Sequence, residues 1–156
     1  MQFGIPLFLD QVIKTLEVEQ TPEPTLSLKV SGSAAGGKSN SSEIGNAAAQ
    51  HGRELLQEGF TVDQVVHDYG DICQSITDLA FERDEPFTVD EFRTLNRCLD
   101  NAIADAVTEF NYQHDLILVN HGDNLLNQRL GFFAHEVRNL LNSAMLAVSA
   151  LKAGRG

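Results

Sequence analysis

The feature that most constrains the fold of this sequence is a long stretch from Thr88 to Leu151 in which apolar residues recur at helical spacing. Around residues 120–124 the apolar register slips, and a new seam starts. The first part carries Phe92, Leu95, Leu99, Ile103, Ala106, Phe110 and Ile117, and the new seam starts with Leu126, Leu130 and Phe133. A globular helix is seldom this long. The pattern therefore predicts a bundle helix that leaves its own domain through a junction at residues 119–128 and becomes the first helix of the next domain.

The same helix-start signal occurs twice in the sequence. The copy GFTVDQVV lies before the long stretch, and the copy PFTVDEFR lies at its beginning. In each copy a threonine, Thr61 or Thr88, can cap the helix, and Gln64 or Glu91 three residues later can close a capping box. We therefore expect helices to begin at these two threonines.

Three further segments show helical spacing of apolar residues: 3–18, 42–58 and 61–83. Within the last of these the predicted buried residues are Val62, Val65, Val66, Tyr69, Ile72, Cys73, Ile76, Leu79 and Ala80. The chain is thus predicted to be all-α.

Residues 19–42 lose this periodicity and are rich in proline, glycine and serine. Because such a composition buries too little apolar surface to offset its ordering entropy, we predict a flexible loop. Within it, GSAAGGKS fits the phosphate-binding string G-x-x-x-x-G-K-S at Gly32, Gly37, Lys38 and Ser39. No apolar strand leads into the string and no apolar helix opens directly after it, so we do not expect nucleotide binding there.

The formal net charge of -11 argues against binding to nucleic acid or to an anionic membrane, which requires clustered Lys and Arg. Cys73 and Cys98 lie in helical patterns without C-x-x-C spacing, so we interpret them as reduced core residues, with redox sensing as the alternative. The first residues lack the basic start and the cleavage site of a signal peptide, and no apolar run reaches the length of a membrane span. We expect a soluble, cytoplasmic protein.

The candidate functional residues lie in the stretch FFAHEVRNLLN at residues 132–142. At about 100° per residue, one apolar stripe collects Leu130, Phe133, Val137, Leu140, Ala144, Val148 and Leu151. His135 points away from this stripe and is predicted to be exposed, with Asn139 one turn later on nearly the same face.

This stretch resembles the H-box of sensor histidine kinases, F-x-H-E-[LIV]-R-N-x-L. The matched residues are Phe133, His135, Glu136, Val137, Arg138, Asn139 and Leu141. In that family the resemblance implies that His135 is the phosphoacceptor, that Glu136 acts as a base or orients the imidazole, and that Asn139 positions water for dephosphorylation of the regulator. Arg138 and Asn142 are interpreted as solvated surface residues, with contact to phosphate or to the partner as the alternative. For Glu136 the alternative is a solvated acid, and for Asn139 it is an ordinary polar residue on an exposed helix face.

The segments GIPLFLDQVIKTL and ELLQEGFTVDQVVHDYGDICQSITDLA resemble the RsbR-type helical N-terminal sensor domain of stressosome proteins. This resemblance implies a globin-like or four-helix bundle sensor over residues 1–118 that pairs with itself. Residues 129–156 would then be the first helix of a dimerisation and histidine-phosphotransfer domain, here truncated.

Together the two resemblances imply the sensory and dimerisation part of a soluble bacterial histidine kinase, an enzyme in its full-length form. The implied partners are a second copy of the chain and the receiver domain of a response regulator. ATP and magnesium would bind a catalytic domain that is missing here, so we expect no cofactor in this chain and no autophosphorylation by it alone.

Two other readings suit an all-α chain with one exposed histidine. One is a non-catalytic phosphotransfer module, although such modules usually show H-x-x-K-G where this chain has HEVRN. The other is a stressosome-like scaffold with no phosphoryl chemistry.

Four other histidines require separate interpretations. His51 and His67 lie near apolar stripes; we interpret them as buried, hydrogen-bonded side chains, with haem ligation as the alternative. His114 and His121 are seven residues apart and either face one another across a dimer or are interface polar residues.

Overall fold

The computed structural model describes residues 3–34 and 42–153, with side chains described as far as Arg138 except at Glu136. The described residues form α-helices and no strand. The helices are α1 (Ile5–Glu19), α2 (Ser27–Ser31), α3 (Glu43–Gln57), α4 (Val62–Glu82) and α5 (Val89–Ala153), and a 3-10 turn at Pro24–Leu26 precedes α2. The prediction of an all-α helical fold with a long C-terminal helix is confirmed.

The capping boxes predicted at the starts of α4 and α5 are present, with the expected hydrogen bonds. Before α4, the Thr61 N–H donates to Gln64 Oε1 at 2.9 Å. Before α5, the Thr88 N–H donates to a Glu91 carboxylate oxygen at 2.8 Å, and the Glu91 N–H donates to Thr88 Oγ1 at 3.2 Å. Each pair satisfies backbone groups that the first helical turn would otherwise leave unpaired.

Gly59 ends α3, as its position predicts. It has a φ of +85°, a conformation that glycine adopts without steric cost. The Phe60 N–H donates to the Leu55 carbonyl at 3.0 Å, and the Gly59 N–H donates to the Leu56 carbonyl at 3.1 Å. These two bonds form a Schellman motif, which turns the chain towards the start of α4.

The chain divides into two compact units, Met1–His114 and Asp115–Gly156. The core of the first unit is built by α1, α2, α3, α4 and the beginning of α5. Its buried apolar residues are Phe8, Val12, Val30, Ile44, Ala48, Leu55, Val65, Tyr69, Ile72, Leu95, Cys98, Leu99, Ala102, Ala106 and Phe110. The described residues of the second unit, 115–153, are the rest of α5, and Gly122 lies inside that helix with helical residues on both sides.

The prediction of a flexible loop is wrong for residues 24–34. The segment forms the 3-10 turn and α2, and Val30 joins the core with only 3% of its surface exposed. Asn101 on α5 donates to the Ser31 carbonyl at 2.7 Å and to the Ser33 carbonyl at 3.0 Å. Composition predicted disorder because it does not reveal that a distant helix supplies hydrogen-bond partners. Residues 35–41 of the predicted loop lie outside the described residues.

A polar network fastens this segment to the bundle. The Glu19 carboxylate accepts hydrogen bonds from Arg97, from Thr94 Oγ1 at 2.5 Å and from Ser27 Oγ at 3.1 Å. Arg97 also donates from Nε to Ser31 Oγ at 3.1 Å. Burial alone would raise the pKa of Glu19, but the hydrogen bonds from these partners outweigh it and hold the pKa below its usual value.

The predicted buried face of α4 is broader than the observed one. Val65, Tyr69 and Ile72 are buried, whereas Val62, Val66 and Leu79 are each more than a third exposed. Helical spacing identifies every apolar position, but only the stripe that faces α1 and α3 packs in the core. The rest of this face remains at the surface of the first unit.

Among the described residues, no helix combines the length and the apolar character that a bilayer-spanning helix requires.

Candidate functional site

His135 lies on α5 in the second compact unit, and its side chain is exposed as predicted. The apolar residues on either side of it in sequence are also open to solvent: Phe133 is 64% exposed and Val137 is 38% exposed. Arg138 is exposed as well. The histidine is therefore accessible to a large reactant, such as another protein domain, from the side on which it lies.

A seam of exposed apolar residues runs along α5 with alternating steps of three and four residues. It consists of Leu116, Val119, Leu126, Leu130, Phe133 and Val137, and Asp123 occupies the one polar position of the same pattern. Steps of three and four are the a and d spacing of a helix that pairs with another helix. We call this set the α5 seam.

His135 occupies the outermost position relative to the α5 seam. In a heptad with Leu130 at a and Phe133 at d, residue 135 is the f position, on the opposite face of the helix. A contact made through the seam would thus leave the imidazole uncovered. Phe132, three residues before His135, lies at c, beside His135 on the outer side of the helix, and is 68% exposed.

Two residues of the predicted site have side chains outside the described part of the structure. Glu136 and Asn139 both lie within the helical range of α5, but only their backbone is described. The same holds for the later members of the predicted apolar stripe, beginning with Leu140, and for Asn142. The roles predicted for Glu136 and Asn139 therefore stay predictions.

His114 and His121 share the outer line of α5 with His135, since residues 114, 121 and 135 are separated by multiples of seven. His121 Nδ1 lies 3.0 Å from the Ile117 carbonyl one turn earlier, so its ring lies along its own helix. Both histidines therefore lie on the face of α5 opposite the α5 seam.

His51 and His67, which both lie near apolar stripes in the sequence, differ in burial: His51 is buried and His67 is exposed. His51 on α3 is 5% exposed and packs edge-on against Tyr69, with ring centroids 6.2 Å apart, but its Nδ1 has no hydrogen-bond partner among the described residues. Burial lowers the pKa of His51, although Glu54, Asp68 and Glu58 act in the opposite direction. His67 is exposed, so the prediction that it is buried is wrong.

The described residues contain no group of three or more His, Cys, Asp or Glu side chains placed to hold a metal ion. Both cysteines are free, and Cys98 is fully buried while Cys73 is half-buried. Burial raises the pKa of the Cys98 thiol to about 11, so it stays protonated and unreactive at neutral pH. The interpretation of Cys98 as a core residue is confirmed, and its reduced state stays a prediction.

Of the phosphate-binding string, only its first glycine is described. Gly32 ends α2 with a φ of +77°, and an added β-carbon there would meet the Asn101 side chain. Gly37, Lys38 and Ser39 lie outside the described residues.

No protein-family model matches the chain, and neither a curated protein nor a solved structure does.

Proposed function

We propose that this chain is the sensory and dimerisation part of a histidine kinase and that His135 is its phosphoacceptor. The observation that carries the proposal is that His135, which lies exposed on the face of α5 opposite the α5 seam, is also the histidine of the H-box-like stretch, which distinguishes it from His121 on the same face. A phosphoacceptor must be reachable by a kinase domain and then by a receiver domain, and this position meets that requirement. The H-box resemblance supports the same assignment.

The chemistry requires a neutral imidazole. One ring nitrogen of His135 attacks the γ-phosphorus of ATP, the bond from that phosphorus to the bridging oxygen breaks, and ADP leaves. The other ring nitrogen releases its proton to a base, the role that we assign to Glu136. The phosphoryl group then passes to an aspartate of a response regulator, and Asn139 positions the water that later removes it.

The proposed dimer forms through the α5 seam. Large apolar side chains exposed along one helix favour burial against another surface, and alternating steps of three and four residues suit a second helix of the same kind. Asp123 falls at an a position, where a polar residue lowers stability but fixes which registers pair well. We therefore infer a homodimer whose two His135 side chains face outward.

ATP and magnesium belong to a catalytic domain of the longer protein in this proposal. Phosphoryl transfer requires positioned phosphates and a bound metal ion. We assign neither task to the described residues of this chain, whose contribution is to display and orient the imidazole.

The experiment that tests this proposal uses the longest natural form of the protein, incubated with labelled ATP and magnesium. We expect acid-labile label on the wild type and none on His135→Gln. His121→Gln is the matched control, because it removes another exposed histidine from the same line of α5, and it should keep its label. Label on His135→Gln would contradict the proposal, as would a folded, ATP-binding wild type that takes up none.

A phosphotransfer module is the second candidate, because an exposed imidazole on a helix is equally open to a phosphorylated receiver domain. Incubating the 156-residue chain with such a receiver domain distinguishes the two. A phosphotransfer module takes up phosphate on His135 unaided, whereas the kinase fragment takes its phosphate from ATP through the catalytic domain.

A further inference from the structure

The turn of α5 that precedes His135 carries Gly131 and Phe132, four and three residues earlier, so both lie on the same side of the helix as the histidine. Aromatic side chains on an α-helix lean towards its N-terminus, over the preceding turn. The imidazole of His135 therefore leans over these two residues and not over the turn that follows. Gly131 and Phe132 border the nitrogen that carries the phosphoryl group in the proposed function, on which this inference rests.

Phe132 is 68% exposed and lies outside the α5 seam. The proposed dimer therefore leaves this aromatic ring in water, next to His135. Aromatic residues are enriched among the few residues that supply most of the binding energy of an interface. A partner that covers His135 would also bury Phe132.

Gly131 leaves open space beside the imidazole. A β-carbon at this position would meet no atom of the described residues within 4 Å. Glycine destabilises a helix relative to alanine, and no close contact in the described part of the chain requires it here. The missing side chain lets the backbone of a partner approach the helix beside His135.

The charge around His135 suits a partner that presents a carboxylate. The chain has 22 acidic residues and 11 lysines and arginines, yet none of the acidic residues lies between Asp123 and Glu136. Arg129 is the one lysine or arginine in that interval, and it is exposed. An aspartate that approaches this part of the helix therefore meets a cation and no like charge.

We propose that Gly131 and Phe132 are the docking surface for the receiver domain that takes the phosphoryl group from His135. Phe132 enters an apolar recess next to the receiver's aspartate, and the receiver's backbone lies against Gly131. In the transfer an aspartate oxygen attacks the phosphorus and the bond from phosphorus to the imidazole nitrogen breaks. That nitrogen keeps the electron pair, and the ring regains a proton from water. Attack requires the reacting atoms to lie roughly 3–3.5 Å apart, so the receiver must cover the turn over which the imidazole leans.

The receiver domain needs this surface more than the catalytic domain does. In the proposed function the catalytic domain belongs to the same polypeptide as His135, so the tether gives it a high effective concentration without a docking contact. The receiver belongs to a separate protein and must find the histidine through its own affinity. An exposed aromatic residue beside the histidine supplies that affinity.

The test uses the longest natural form of the protein, labelled from ATP, and the receiver domain of the same genome that accepts the label fastest. We expect Phe132→Ala to raise the KM for this receiver about tenfold, and to leave the maximal transfer rate and the labelling from ATP unchanged. Leu118→Ala is the matched control, because Leu118 occupies the same heptad position and is 57% exposed. It lies roughly 25 Å from His135 along the helix, so its replacement should leave the KM unchanged.

A pair of glycine variants tests the open space beside the imidazole. Gly131→Gln and Gly122→Gln each replace a helical glycine at which a β-carbon meets nothing within 4 Å, so both should favour the helix. Gly122 lies roughly 20 Å from His135 along α5. We expect Gly131→Gln to raise the KM for the receiver and Gly122→Gln to leave it unchanged. An equal rise in both variants would trace the effect to a stiffer helix and would overturn the proposal.

The outcomes distinguish a failure of this inference from a failure of the proposed function. A wild type that takes up no label from ATP would overturn both. A labelled wild type whose KM for the receiver is unaffected by Phe132→Ala would overturn the docking surface alone. Loss of labelling from ATP in Phe132→Ala would assign the surface to the catalytic domain and would likewise overturn the proposal.

Discussion

The backbone carbonyl of Ala106 on α5 lies against Gly52 on α3, in the space that a β-carbon at position 52 would require. The two helices approach closely there because neither residue has a long side chain. We expect Gly52→Ala to push α3 away from α5 and to lower the free energy of unfolding by about 1–3 kcal/mol, the usual cost of overpacking a core. Urea denaturation followed by circular dichroism measures this change in the free energy of unfolding.

Gly70→Ala on α4 is the control for that substitution. An added β-carbon at Gly70 meets no atom within 4 Å. Because alanine favours a helix over glycine, Gly70→Ala should raise the free energy of unfolding by about 0.5–1 kcal/mol. Equal losses of stability in the two variants would show that α3 and α5 do not pack as closely as described.

The end of α4 holds Asp84 in a left-handed conformation, with a φ of 54°. The Glu85 N–H donates to the Ala80 carbonyl at 3.0 Å, which is the same pattern of bonds that Gly59 closes at the end of α3. Glycine adopts this conformation without the steric cost that a side chain incurs. Asp84→Gly should therefore increase the free energy of unfolding by about 1 kcal/mol. The midpoint of thermal unfolding should rise accordingly. A lower midpoint would mean that the Asp84 side chain makes a stabilising contact of its own.

Glu19 makes the free energy of unfolding depend on pH. Its pKa lies below the usual value of 4.5 in the folded chain, so its ionised form stabilises the fold above that pH and the contribution is lost as the pH falls through the lowered pKa. Glu19→Gln should therefore cost about 2 kcal/mol at pH 7 and progressively less below about pH 4.5. Urea denaturation at a series of pH values measures the difference.

Glu17→Gln is the matched control, since Glu17 is exposed on the same helix. Glu17→Gln should change the free energy of unfolding little at any pH in the series. A cost of Glu19→Gln that stays constant down to pH 3 would contradict the ionised network with Arg97.

The helices and their ends were predictable because local chemistry determines them. Each helix signal involves residues that are close together in sequence. The structure contains the capping boxes at Thr61 and Thr88 and the left-handed glycine at residue 59. The exposure of His135 agrees with the prediction from helical geometry, which placed it away from the stripe that contains Phe133 and Val137.

The features that sequence reasoning missed depend on residues far apart in the chain. Arg97 and Glu19 are 78 positions apart, and neither has a neighbour in sequence that reveals the other. The order of residues 24–34 depends on the same helix, α5, through Asn101. Arg97 is two residues from Leu95 and two from Leu99, which on a helix places it opposite the face that those leucines share, so spacing alone predicts a solvated charge there.

The narrower buried face of α4 has the same origin. Val65 and Val66 are neighbours of one chemical type, yet Val65 is fully buried and Val66 is 40% exposed. Which of them faces the core depends on where α1 and α3 lie.

The central claim is that α5 pairs two chains through the face opposite His135. Phe132 and Phe133 test it directly, because they are adjacent and similarly exposed, at 68% and 64%, but only Phe133 belongs to the α5 seam. Sedimentation equilibrium should find the wild type and Phe132→Glu to be dimers and Phe133→Glu to be a monomer. A monomeric wild type, or variants that dimerise equally well, would contradict the account.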